Sequence, residues 1–194
     1  GIAGIPWFTT DIGGFHGGNP DDPAFRELLI RWFEYGTFCP VMRLHGDREP
    51  HKPPMGSEGG AACVSGADNE VWSFGDEAYE ILCGYLELRE KMKPYITELM
   101  KAAHEKGTPV MRPLFYDMPD DPKAWEVEDQ YMFGPDVLVA PILFEGARSR
   151  EVYLPAGTEW TNYWTGEKVA GGQTITADAP LAQIPLFTRN GREF

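Results

Sequence analysis

Gly1-Ile-Ala-Gly-Ile-Pro-Trp-Phe8 runs into Thr9-Thr-Asp-Ile-Gly-Gly-Phe-His16, and Phe38-Cys-Pro-Val-Met42 runs into Arg43-Leu-His-Gly-Asp47. Each is an apolar run followed by a polar, glycine-bearing loop, the pattern of a buried strand and its carboxyl-end connection. Between them Asp22 precedes Pro23, a cap followed by a proline at the first helical position. Phe25, Leu28, Leu29, Trp32 and Phe33 follow at the spacing of one buried helical stripe, and Gly36 ends it. Strand, loop, helix, strand, loop is the βαβ grammar of a parallel sheet.

Downstream, residues 48–75 are rich in Gly, Pro and Ser and read as a long loop. Asp76 is placed to cap a helix running from Glu77 to about Lys106, with Tyr79, Leu82, Leu86, Met92, Ile96, Leu99 and Ala103 as its buried face. Pro94 should kink or break that helix, and Gly107 and Pro109 should stop it. The pattern then changes. Residues 110–116, 137–142, 148–154, 159–163, 174–177 and 184–188 read as short strands. The turn signals Asp117–Pro122, Pro155-Ala-Gly157, Thr165-Gly-Glu167 and Gly171-Gly172 separate them, which suggests an antiparallel sandwich. The expected fold class is therefore α/β followed by all-β, dividing into residues 1–107 and 108–194. A (β/α)8 barrel takes ~250 residues, so residues 1–107 supply only the end of one. An upstream portion is expected, and the sandwich stops soon after its last strand.

The chain has 194 residues, 42% hydrophobic, and a formal net charge of −13. A core of ordinary size is available. The acidic surface argues against nucleic acid and against anionic membranes, and no apolar run approaches the ~20 residues of a membrane helix. Cys39, Cys63 and Cys83 are odd in number and lack metal-ligand spacing, so buried, reduced thiols and a cytoplasmic compartment are the expectation.

Asp11 follows the first expected strand, and Arg43, His45 and Asp47 follow the second. In parallel α/β architectures that edge holds the active site. Trp7, Phe15 and His16 add aromatic surface. Carboxylate, guanidinium, imidazole and ring faces together suit a sugar, whose hydroxyls need fixed donors and acceptors and whose C–H faces stack on rings. Each residue also has a plain structural reading. Asp11 before Gly13-Gly14 can cap a turn, and Arg43 can pair with Asp11 or Asp47. His45 can be a loop histidine, and Trp7 and Phe15 can belong to a core. Asp11 and Asp47 can also be read as a glycosidase carboxylate pair. His45 and His51 do not match a metal-ligand spacing.

Trp7-Phe-Thr-Thr-Asp-Ile-Gly-Gly-Phe15, Phe25–Phe33 and Cys39-Pro-Val-Met-Arg-Leu-His45 resemble the late barrel strands of glycoside hydrolase family 31, which contains α-glucosidases and α-xylosidases. Leu88–Tyr95 resembles its last barrel helix. Arg112–Phe115, Gln130–Pro135, Leu138–Ile142, Tyr153-Leu-Pro155 and Trp160–Gly166 resemble its following β-sandwich. The resemblance implies a retaining, exo-acting α-glycosidase acting on an oligosaccharide or glycoside without cofactor or metal. It implies that Asp11, Phe15, Arg43 and His45 line the terminal-sugar subsite, with Trp7 nearby. It further implies that the nucleophile and the acid/base are two other aspartates, on earlier barrel strands. The family also holds transglycosylases and a lyase. A non-catalytic carbohydrate-binding sandwich is the alternative.

Overall fold

The computed structural model describes residues 1–194. Helix α1 spans Pro23–Thr37, with the Asp22 side chain accepting the Ala24 N–H and Pro23 in the first turn. Its buried face is Phe25, Leu29, Ile30 and Phe33. Leu28, expected in that stripe, is exposed, because the stripe centres on Leu29 and Phe33 and leaves Leu28 on its flank. The helix also runs past Gly36 to Thr37.

The two runs expected as strands form no strand. They do lie side by side in parallel. Val41 donates to Phe8 O at 3.0 Å, Ile12 to Arg43 O at 3.3 Å, and Asp47 to Phe15 O at 2.8 Å. An isolated parallel bridge joins His16 to Asp47. Two neighbouring parallel segments with no further strand on either side cannot bury both faces or complete a ladder. Ile2, Ile5, Trp7, Phe8 and Val41 accordingly remain exposed.

Residues 48–75 are more ordered than a loop. Strand β1 (Arg48–Lys52) pairs antiparallel with β2 (Ser65–Ala67), and short 3-10 turns cover Gly59–Ala62 and Val71–Phe74. Helix α2 spans Asp76–Lys106 and ends on Gly107 in the left-handed conformation, φ 68°. Gly75, not Asp76, is its N-cap. The helix is unbroken through Pro94, which sits on the exposed side, where water can satisfy the carbonyl it leaves free. Its buried face is Ala78, Leu82, Tyr85, Leu88, Met92, Tyr95, Leu99 and Ala103, and the expected Tyr79 and Leu86 face outward. Tyr85 and Tyr95 can take interior positions because their hydroxyls find partners there: Tyr85 donates to Glu34 at 3.1 Å and Tyr95 to Phe133 O at 3.0 Å.

The second half is all-antiparallel. Strands β3 (Met111–Arg112), β4 (Tyr131–Phe133), β5 (Val137–Val139), β10 (Leu186–Thr188), β7 (Glu159–Asn162) and β8 (Lys168–Ala170) form one six-stranded sheet in that order. Strands β6 (Ser149–Leu154) and β9 (Gln173–Asp178) form a second sheet. Beyond Arg112 the chain turns into a four-residue helix, Leu114–Asp117, instead of the expected strand; Pro113 precedes it, and Arg112 grips Asp117 with bonds of 2.7 and 2.9 Å.

Period-2 alternation decides what each sheet face covers. Phe133, Val137, Val139 and Leu186 join a core with Ile12, Phe33, Leu82, Met92 and Tyr95 from the helical half. Met132, Leu138 and Phe187 point the other way, into a core with Val152, Leu154, Trp160 and Ala177. The molecule is thus three layers: helices, the six-stranded sheet, and the β6–β9 ribbon.

Of the cysteines, Cys39 is buried, but Cys63 lies exposed in the 48–75 segment, against expectation, because that segment packs little apolar surface. No helix is long and apolar enough to cross a membrane.

Candidate functional site

The parallel run of the two apolar segments delivers their following loops to one edge. There the guanidinium of Arg43 (Nη2) donates to Asp11 Oδ1. Asp11 is partly sheltered and Arg43 half exposed. The Asp11 carbonyl also closes a turn with Gly14 N–H at 2.8 Å, and Gly13 and Gly14 both adopt positive φ, 83° and 84°. That turn swings Phe15 back over the second loop, its ring 5.5 Å from that of His45. Phe15 is 53% exposed and Trp7 is 70% exposed, so neither belongs to the cores that these 194 residues form.

Asp11, Arg43, Phe15 and His45 are therefore brought together as one open patch, with Trp7 upstream on the same segment. Asp11 and Asp47 are not directed at each other: Asp11 takes Arg43, and Asp47 takes the Nε2 of His51 at 2.7 Å. No cluster of three or more His, Cys, Asp or Glu side chains is placed to hold a metal ion. The patch offers a carboxyl acceptor, a guanidinium donor, an imidazole and an apolar ring face, a set that can hold a polyhydroxylated ring in one orientation. A cavity of about 570 Å³ lies elsewhere, lined by Phe8, Thr10, Trp32, Tyr35, Tyr131 and Ile142 among others.

Beneath the patch lies a residue that pattern reading does not single out. Arg48 is completely buried. Its guanidinium donates to the carbonyls of Ile12 (3.0 Å), Gly13 (3.2 Å) and Gly17 (2.9 Å), and its Nε to Asn69 Oδ1 (2.9 Å). It also sits over the Phe25 ring, 5.2 Å from the centroid. Burial lowers its pKa, and the charge of Asp47 opposes that shift. Asn69 in turn donates to Gly46 O at 3.3 Å. Arg48 thus ties the Asp11 loop to the strand that follows the Arg43 loop. The signal in the sequence is indirect. A Cβ at Gly13 or Gly46 would fall 2.9 or 2.3 Å from its Nη2, so those two glycines are the space it needs.

A second buried polar group joins the halves of the molecule. Glu34, fully buried, accepts from Arg31 at 3.1 Å and from Tyr85. Arg31 also reaches the carbonyls of Ala147, Ala179, Pro180 and Gln183. Burial raises the Glu34 pKa to about 7, opposed by the charge and hydrogen bonds of Arg31 and the hydrogen bond of Tyr85.

Comparison with known proteins places this architecture. Residues 1–99 match the TIM-barrel domain of glycosyl hydrolases family 31, and residues 107–192 match the family's C-terminal domain. The chain is 40% identical over 190 residues to an alpha-xylosidase of Saccharolobus solfataricus, covering 98% of this chain and 24% of that protein. It is 36% identical to alpha-glucosidase 2 of Bacillus thermoamyloliquefaciens, covering 98% and 22%. A crystal structure of a GH31 alpha-xylosidase from a soil metagenome, complexed with xylose, superposes with a TM-score of 0.94 at 56% identity, covering 98% of this chain and 29% of that one. The chain spans about a quarter of the length of these relatives. The match runs through both halves in the order that the fold displays them, and the chain belongs to glycoside hydrolase family 31.

Proposed function

We propose that this chain supplies the terminal-sugar subsite of a retaining, exo-acting α-glycosidase whose preferred terminal sugar is α-linked xylose. The observation that carries the reading is the Asp11–Arg43 ion pair set beside Phe15 and His45 at one edge. In this reading Asp11, Arg43 and His45 hydrogen-bond the sugar hydroxyls, and Phe15 packs on its C–H surface, with Trp7 bounding the approach. Fixing the ring in this way removes orientational freedom before reaction, and bonds that tighten as the ring flattens lower the barrier.

A retaining mechanism needs two carboxyl groups about 5 Å apart, one to attack the anomeric carbon and one to protonate the leaving oxygen and then activate water. Neither role falls to Asp11 or Asp47, which are engaged by Arg43 and His51. The nucleophile and acid/base are assigned to polypeptide outside these 194 residues. The exposed apolar residues Ile2, Ile5 and Phe8 offer the surface assigned to packing of the remaining barrel strands. The isolated chain is accordingly inactive. The choice of xylose over glucose is supported by relatives: the 56%-identical structure and the 40%-identical relative are both named alpha-xylosidases.

The test is hydrolysis of para-nitrophenyl α-xyloside and α-glucoside by the full-length polypeptide, with the anomer of the first-formed product read by NMR. Faster release of α-xylose supports the proposal. Hydrolysis with inversion, or none, removes it, and a preference for the glucoside removes the xylose assignment alone.

A further inference from the structure

Beyond Phe15 the patch continues into side chains that the terminal-sugar subsite does not use. The Phe15 ring meets the His45 ring on one side at 5.5 Å and the His16 ring on the other at 4.5 Å, edge-on at 83°. His16 Nδ1 lies 3.8 Å from Asp47 Oδ2, and His51 Nε2 lies 2.7 Å from the same oxygen. A single row therefore runs from Asp11 and Arg43 through His45 and Phe15 to His16, Asp47 and His51.

We propose that His16, Asp47 and His51 form a binding site for the second sugar of the substrate, the unit whose oxygen leaves; this rests on the glycosidase reading above. Three features support the assignment. The three side chains are accessible, at 74%, 38% and 45% exposure for His16, Asp47 and His51. Asp47, which they share, is also held in place. Its backbone donates to Phe15 O, and its Oδ1 lies so close to Gly66 on β2 that a Cβ there would come within 2.4 Å. Finally, His51 has a nitrogen to spare. Its Nε2 faces Asp47 Oδ2 at 2.7 Å, which leaves Nδ1 on the other side of the ring for a hydroxyl. His16 is oriented by its edge-on contact with Phe15 rather than by a hydrogen bond. Imidazoles fixed by a carboxylate and a ring can read hydroxyl positions at little ordering cost, since their rotamers are already restricted.

The experiment compares two substrates on the full-length enzyme: an α-xylosyl disaccharide and para-nitrophenyl α-xyloside, which share the terminal sugar but not the second one. His51→Ala is expected to lower kcat/KM on the disaccharide ~10-fold while leaving the aryl xyloside within about twofold, because only the former presents hydroxyls to this site. His51→Gln, which retains a donor for Asp47 and an acceptor, is expected to recover most of the loss. Asp47→Asn, which weakens the hold on His51, is expected to fall between the two. Equal losses on both substrates would mean that the cluster only supports the hairpin, and no change on either would mean that it touches no sugar; both overturn the proposal. A wild-type enzyme that hydrolyses neither substrate fails the glycosidase reading instead, and the second-sugar site falls with it.

Discussion

Ile12 donates its backbone N–H to the carbonyl of Arg43 across 3.3 Å, one residue beyond the Asp11–Arg43 side-chain pair. The two loops are therefore joined twice, once by main chain and once by charge. The separation of Asp11 from Arg43 does not depend on side-chain order alone.

Removing the carboxylate should then affect chemistry more than structure. In the full-length enzyme Asp11→Ala or His45→Ala is expected to cut kcat/KM by about 100-fold or more, because a site built around a hydroxyl is penalised when its partner is lost. Steady-state kinetics on the aryl xyloside check this. A change smaller than about twofold would remove that residue from the subsite.

Arg48 should behave in the opposite way. Arg48→Met strands the carbonyls of Ile12, Gly13 and Gly17 in the interior. The expected loss of stability is about 3 kcal/mol, the range for breaking a buried charged hydrogen-bond set. Urea unfolding measures it, and an unaltered midpoint would show that the buried guanidinium is not what fixes the loop.

The two glycines of the Asp11 loop should differ. Gly13 has φ 83°, and a Cβ there would lie 2.8 Å from Leu29 Cδ1, whereas Gly17 has φ 80° with no atom near enough to touch. Gly17→Ala pays only for the left-handed backbone, about 1 kcal/mol. Gly13→Ala adds overpacking and is expected to cost about 2–4 kcal/mol in the same urea experiment.

Glu34 gives the chain a stability that depends on pH. Its folded pKa of about 7 lies above the ordinary 4.5, so the folded state holds the proton more tightly. The associated stability is fully present below pH 4.5 and is lost as pH rises through 7. The expected drop is on the order of 3 kcal/mol. Glu34→Gln, which has no proton to lose, should flatten the melting-temperature profile between pH 5 and 8. An identical slope in both proteins would refute the assignment.

What the sequence disclosed follows the range of the forces involved. Asp22 before Pro23 and Gly107 after Lys106 act within one helical turn, and the helix start and the helix end they mark are where the pattern puts them. The punctuation at Pro155-Ala-Gly157 and Gly171-Gly172 likewise separates real strands. The runs at Gly1–Phe8 and Phe38–Met42 lie in parallel, as their pattern implies, but form no strands here, because a parallel strand exists only if neighbours complete it and composition carries no record of neighbours. Strands β4 and β8, at three residues each, are too short to show a period. Within the candidate site, Asp11, Arg43, His45 and Phe15 are legible as polar or aromatic residues in the loops after the apolar runs. Arg48 did not, since an arginine next to Asp47 and Glu49 looks like ordinary charged surface until Gly13 and Gly46 are seen to make room for it.

The six-stranded sheet gives one face to the helices and the other to the β6–β9 ribbon. The helical and all-β halves therefore meet through a packed wall rather than a linker. Exchanging the second half for that of a relative would replace Phe133, Val137, Val139 and Leu186 with another protein's side chains against these helices. A chimera joined between the two halves must therefore carry matched side chains on both sides of that wall.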